Sequence, residues 1–500
     1  MIQNGRVADT LAKGGHNVTL LELDVAIKPG SLHTVKHANF WPETFEWPER
    51  VSGEMIIPNA LHFTAFELIT GLPGFLDIFG GSCLAILKSP HIMNKIRDSN
   101  FDVIMFEQFD VCPFVISHLL NIDVKIWMSS CPIMEHQADL VGVPTAFSYV
   151  PVADSSECGD QMTFFERFRN VLFGHALSHA YFSYWHGLHL KLKDMYGPDF
   201  PSPLDLAKST DLVLINTDEL VDFPRPLPPN VIHVGGLGMN HVNTTLSPHY
   251  QSLMESGKDG VVYFSFGTMV STVELGQTYM KNLLDTFSKF ENYFFIVKAT
   301  EKDRFTFEYG KGIKNVHVDH WIQQPGVLAH PNLRFFITHG GYNGIMEASR
   351  FSVPLLLIGV FGDQTRNARL VERNGWGVSM HKLSLLYETD EFEAKIKEML
   401  RNPKYKQNAI RTTKLLQTKP QTGEQRLLSY IKFLEENGGH LPELRSIANQ
   451  LSVIELTNID IWTIILLTIV VVIVLLLYVI GTVLKKLFRL IGFRKKEKMQ

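Results

Sequence analysis

Five short apolar runs constrain this chain more than any other feature. "GVVYFSFGT", "NYFFIVKA", "VHVDHW", "LRFFITHGG" and "VPLLLIGV" follow one another between residues 260 and 360, with helical stretches between them. Strands buried on both faces read as near-continuous apolar runs, whereas half-exposed strands alternate. Such runs interleaved with helices predict a parallel sheet covered on both sides. "FDVIMFEQF", "DVKIWMSS" and "DLVLINTDEL" repeat the pattern between residues 101 and 220. Between the two series, "FPRPLPPNVIHVGGLG" breaks the periodicity with prolines and glycines, as a crossover between domains does. The expected organisation is one α/β body over residues 1–235 and a second over 236–450, with a cleft between them.

At the start, "VADTLAKGGHNVTLLEL" reads as a helix ended by Gly14-Gly15 and a strand from Val18. The strand that should precede this helix is not in the sequence, and residues 1–16 lack the apolar segment of a signal peptide. The expectation is that both lie upstream of Met1.

At the other end, Ile461 to Leu484 carry no charge. As a helix this run is roughly 36 Å long, enough for a hydrocarbon core of about 30 Å. The basic segment 485–500, "KKLFRLIGFRKKEKMQ", marks the cytosolic side, so the body is expected outside the cytosol. The closing "KEKMQ" has the spacing of a dilysine-type retrieval signal, which points to the endoplasmic reticulum membrane. A lipid bilayer is thus one expected partner.

Composition narrows the function. With a formal net charge of -4 and no basic stripe interleaved with aromatics, nucleic acid is excluded as a partner. Cys83, Cys112, Cys131 and Cys158 form no C-x-x-C pair, which disfavours zinc, and their three disulfide pairings stay open. The aromatic stretch from Asp160 to Tyr196 packs a core, lines an apolar substrate pocket or touches the membrane. Sequons stand at Asn17, placed on an expected buried strand, and at Asn243 in the junction.

The chemistry concentrates in "FFITHGGYNGIMEASRFSVPLLLIGVFGDQ", residues 335–364. His339-Gly340-Gly341 forms the turn at the carboxyl end of a strand, and a helix opens at Tyr342. Ligands of open α/β sheets bind at that end, and a helix N-terminus offers unpaired N–H groups to phosphate. Asn343 lies in the first turn and Glu347 one turn on, where a carboxylate suits ribose hydroxyls. Asp363 and Gln364, after the next strand, suit sugar hydroxyls. Upstream, Trp321 offers a stacking face, while Gln324 and the backbone at Ile322 can read a pyrimidine edge or ribose. Ser265, Gly267 and Thr268 form a second strand-to-loop junction able to meet phosphate or an acceptor. Together these groups suit a nucleotide-sugar.

Trp321-x-x-Gln324, "THGGYNGIMEA", Pro354 and Asp363-Gln364 resemble the signature of the UDP-glycosyltransferase family, in particular its membrane-bound UDP-glucuronosyltransferases. The likeness extends over nearly the whole chain. It implies an α/β GT-B fold, two Rossmann-like domains facing a cleft, plus one C-terminal transmembrane helix. The N-terminal half would bind a small lipophilic acceptor with a hydroxyl, and the C-terminal half UDP-glucuronic acid or UDP-glucose. The family roles are Trp321 on uracil, Gln324 and Glu347 at ribose, His339, Gly341 and Asn343 with Gly344 beside them at the diphosphate, and Asp363 and Gln364 at the sugar. Tyr342-Asn343 is closer to the plant form of the motif.

The resemblance implies inverting transfer: a histidine takes the acceptor proton, the oxygen attacks the anomeric carbon, and UDP leaves. No cofactor or metal is expected, in keeping with the lack of a D-x-D triplet. Glu107 matches the carboxylate that orients the base, with Asp110 as fallback. The base itself would lie sixteen residues before His16, one position ahead of Met1. This chain is therefore expected to bind donor weakly and transfer little. The alternative reading is a catalytically impaired nucleotide-sugar-binding partner of active relatives, in a homo- or hetero-oligomer. A receptor ectodomain leaves the Trp321–Gln364 spacing unexplained. "YFSFGT" lacks the first glycine of a hydrolase elbow, and "GGLGMN" fails the dinucleotide fingerprint.

Overall fold

The computed structural model describes residues 2–23, 35–45, 61, 65–154, 156–239 and 242–497. Residues up to Ser446 form one compact unit, and Ile447 onward a second.

Within the first unit, the apolar runs become parallel strands in two main sheets. One is four-stranded, ordered β3 (Val103–Glu107), β4 (Val124–Ser129), β5 (Leu212–Ile215), β6 (Val231–His233). The other is six-stranded and holds β7 (Gly260–Ser265), β8 (Tyr293–Lys298), β9 (Val316–Asp319), β10 (Leu333–Thr338), β11 (Leu355–Leu357) and β12 (Gly377–Ser379). Its spatial order is β12-β11-β10-β7-β8-β9, all parallel. The chain winds outward from β7 in one direction and, after β9, from β10 in the other. The carboxyl ends of β7 and β10 therefore meet at the switch point where doubly wound sheets place ligands. A third, two-stranded sheet pairs β1 (Thr19–Leu23) with β2 (Asn39–Glu43).

Every residue of β5 and β7 is buried, which is why these runs carry almost no polar residue. Phe264, Phe287, Phe295 and Ile337 pack one face of the six-stranded sheet; Tyr263, Phe336 and Trp376 pack the other. The helix Ala65–Leu87, with Pro73 inside it, packs Leu72, Leu76 and Ile86 into the core of the four-stranded sheet. It is apolar enough for a membrane span by composition, but this burial makes it a core helix. The aromatic stretch forms the helix Phe164–Tyr196: Tyr181 and Trp185 are buried, while Phe164, Phe165 and Phe168 are exposed.

Three features depart from expectation. β6 forms inside the Pro/Gly-rich junction, where the sequence shows no strand period. The helix Gly423–Glu436 returns to the four-stranded sheet, with Leu427, Ile431 and Leu434 in the same core as Val124 and Ile126. Asn17 is exposed just ahead of β1 and accepts from the Asn39 side chain at 3.1 Å, so its sequon is not on a buried strand. Cysteine pairing is decided as well: Cys83 and Cys112 form a disulfide, and Cys131 and Cys158 are free.

The second unit is mainly the helix Ile459–Glu497, 39 residues and about 58 Å long. Ile459–Arg489 is long and apolar enough to cross a membrane. The chain continues helical through the basic segment expected as a separate tail. Lys498, of the retrieval-like spacing, lies outside the described residues.

Candidate active site

A cavity of about 960 Å³ opens at the switch point and is lined from both halves of the first unit. Its floor is the His339 turn. β10 ends at Thr338, and the helix Tyr342–Arg350 starts after Gly341, which has no side-chain cap. The first-turn amides are thus left for a ligand. His339 lies between two bare backbones: a Cβ at Gly267 would fall 2.8 Å from its Cε1, and one at Gly341 2.6 Å from its Nε2. Any side chain at either position would displace the ring. Burial, with the nearby Lys298 ammonium, lowers the His339 pKa to about 4. At neutral pH the imidazole is uncharged and keeps one N–H to donate.

Beside this turn the ribose-type residues form a hydrogen-bonded chain. Gln324 Nε2 donates to Glu347 Oε2 at 2.6 Å, and the Tyr263 hydroxyl donates to Gln324 Oε1 at 2.9 Å. Trp321 stands at the rim, 63% exposed, with Lys298 Nζ 5.4 Å from its ring centroid. A large aromatic left this open on a cavity wall has its face free to stack. Ser265 Oγ accepts from Gly267 N at 3.2 Å, which shapes the loop carrying Thr268. Asn343 Oδ1 accepts from Asn216 Nδ2 at 3.1 Å, tying the helix start to the other half.

Asp363 lines the cavity and accepts from Asn367 Nδ2 at 2.7 Å; burial pushes its carboxyl up to about 6. Ile322, Gly341, Gly344 and Glu347 line it too. Gln364 does not. Its side-chain oxygen accepts from the Val360 and Phe361 amides at 3.0 and 3.2 Å, so it braces the loop before Asp363. Glu107 is also set behind the wall. The Ser130 hydroxyl donates to its Oε1 at 2.6 Å, its Oε2 is buried without a hydrogen-bond partner, and burial raises its pKa. Asp110 Oδ1 accepts from Cys112 N at 2.7 Å, at the start of the next helix.

The other wing of the cavity is apolar. Leu72, Phe75 and Ile78 face it from the helix Ala65–Leu87, with Phe109, Met134 and Tyr181 opposite. Sequence reasoning reached only Tyr181 of this wing, through the aromatic stretch, and missed the helix Ala65–Leu87. It also missed Arg6 and Lys298, the two Arg or Lys side chains among the described lining residues. The only available clue to Lys298 was its place at a strand's carboxyl end.

The sequence model of the family described as UDP-glucoronosyl and UDP-glucosyl transferase matches residues 2–497. The chain belongs to this family. A Caenorhabditis briggsae protein that bears the name UDP-glucuronosyltransferase ugt-47 is 36% identical over 470 residues, covering 92% of this chain and 86% of that protein. Bovine UDP-glucuronosyltransferase 3A1 is 30% identical over 448 residues, covering 87% and 82%. Among solved structures, the rice protein Os79 in complex with UDP superposes with a TM-score of 0.55 at 14% identity, covering 86% of this chain and 96% of that one. The glycotransferase of kitacinnamycin gives 0.58 at 16%, covering 86% and 94%. The GT-B fold expected from the sequence is thus the fold of this UDP-glycosyltransferase, and UDP-sugar is its donor.

Proposed function

We propose that this UDP-glycosyltransferase moves a sugar, glucuronic acid in the first instance, from UDP to a hydroxyl of a small lipophilic acceptor with inversion. The observation that carries this reading is the continuity of one cavity: a polar wing built around His339 and Glu347 opens directly into an apolar wing built around Phe75 and Phe109. A lipophilic acceptor would lie in the second wing with its hydroxyl turned to the first. Trp321 would stack on uracil, Gln324 and Glu347 would hold ribose, and Asp363 would accept from sugar hydroxyls. The diphosphate charge would be met by the Tyr342–Arg350 helix start, the His339 N–H and the Lys298 ammonium, without a metal ion. Glu107 keeps one buried carboxylate oxygen unpartnered, which suits a carboxylate that orients an imidazole.

The body is proposed to face the lumen of the endoplasmic reticulum. The basic residues that follow the span and the Cys83–Cys112 disulfide support this side.

The test is acceptor-dependent release of UDP from UDP-glucuronic acid and UDP-glucose, with a panel of phenols. It is run on the 500-residue chain and on a version carrying a family-type Ser-His strand ahead of Met1. The reading predicts a β-linked product and faster turnover in the extended version. Acceptor-independent UDP release from both, or an α-linked product, would overturn it.

A further inference from the structure

The donor site contains a residue from the far end of the chain. Val7 and Leu11 bury one face of the helix Ile2–Lys13 in the core of the four-stranded sheet. Arg6, beside them, reaches across to the other half of the molecule, and its Nη2 donates to Glu347 Oε1 at 3.0 Å. The stem of Arg6 lies on the backbone of Gly238, where φ is +70° and a Cβ would stand 3.2 Å from Arg6 Cγ. The guanidinium is therefore seated by packing and is not a loose surface charge.

This seat settles how Glu347 is presented. One carboxylate oxygen is taken by Arg6 and the other by Gln324 Nε2. Two opposed donors fix the plane of the carboxylate. A carboxylate has about four lone-pair sites, so acceptor capacity remains on each oxygen. Because both partners act inside the protein, that capacity is pre-oriented for a vicinal diol. Arg6 also offsets the negative charge of Glu347 close to where a diphosphate would lie. A guanidinium pairs with a carboxylate through charge-assisted, directional bonds that a lysine reproduces only in part.

We propose that Arg6 is a positioning residue that sets the ribose specificity of the donor site by orienting Glu347. The proposal rests on the donor-site reading above. It makes the helix Ile2–Lys13 part of the donor site, although the donor would otherwise be held by the second half alone.

The experiment measures the affinity of the full chain in detergent for UDP and 2′-deoxy-UDP by titration calorimetry. Wild type is compared with Arg6→Met, Arg6→Lys, Glu347→Gln and the Arg6→Met/Glu347→Gln double variant. The expected result is a wild-type preference for UDP that falls at least threefold in Arg6→Met, is partly restored in Arg6→Lys, and is no lower in the double variant than in Glu347→Gln. Equal weakening of both nucleotides by Arg6→Met would reduce Arg6 to a packing role and overturn the proposal, as would no change in either. If Arg6→Met does not fold, Arg6→Lys decides: a preference below wild type supports the proposal, and one equal to it overturns it. Failure of the wild type to bind UDP at all would remove the donor-site reading and this proposal with it.

Discussion

Gly341 and His339 are packed so closely that a Cβ on the glycine would stand 2.6 Å from the imidazole Nε2. The backbone of Gly341 is not left-handed, so alanine fits its dihedral angles and fails only on contact. Gly341→Ala should therefore push the ring out of its seat while leaving the fold intact. UDP affinity is expected to fall about tenfold or more, roughly 1.4 kcal/mol, with an unchanged circular dichroism spectrum. Undiminished affinity would mean that the His339 N–H is not used by the diphosphate.

Trp321 and Lys298 are neighbours, but they should fail in different ways. Trp321→Ala is expected to weaken uridine and UDP alike, by about 1–3 kcal/mol for a lost base–aromatic stack. Its effect on thermal stability should be small, because the side chain is mostly exposed. Lys298→Met is expected to weaken UDP and leave uridine almost untouched, with the difference shrinking as salt is raised. Competition titrations of the two ligands against both variants check this, and a uridine loss in Lys298→Met would contradict it.

Asp363 should give the donor site an acid limb. Burial raises its pKa to about 6, with the Asn367 hydrogen bond opposing. As pH falls through that value the carboxylate takes a proton and loses acceptor capacity toward sugar hydroxyls. The kcat/KM for UDP-sugar is therefore expected to drop below about pH 6 in the wild type. In Asp363→Asn it should be low and flat across the same range. A limb that persists in the variant would assign the titration elsewhere.

Glu135 should make stability depend on pH in the opposite direction from an ordinary ion-paired acid. Burial pushes its carboxyl up to about 7, against the lowering effect of a hydrogen bond from Ala153 N at 2.8 Å. A pKa higher in the folded than in the unfolded state means that the folded chain holds the extra proton. That contribution is complete below the unfolded value and is lost as pH rises through about 7. Urea unfolding at pH 5.5 and pH 8 should show wild type losing stability relative to Glu135→Gln at the higher pH, by about 2 kcal/mol. A parallel pH response in the two proteins would rule this out.

The strands around the site were legible because parallel strands covered on both faces must be largely apolar, and β7, β8 and β10 are, with Ser265, Lys298, Arg334 and Thr338 as their polar exceptions. β6 was not, since its three residues are too few to show a period among the prolines and glycines. Gln364 was read as a sugar ligand from residue type and position. Its side-chain oxygen is held by two backbone N–H groups three and four residues upstream, a local bond that spacing does not reveal.

What the sequence determined by itself was the donor floor. His339, Gly341, Asn343 and Glu347 are local neighbours, and a strand, a turn and a helix place them whatever the rest of the chain does. What only the tertiary structure decided was everything reaching that floor from elsewhere. Arg6 lies 341 residues from Glu347 in sequence, and the apolar wing comes from a helix with Pro73 in its interior. Local rules of turn and period carry no information at that separation. Those contacts follow from how two separately wound sheets pack against each other.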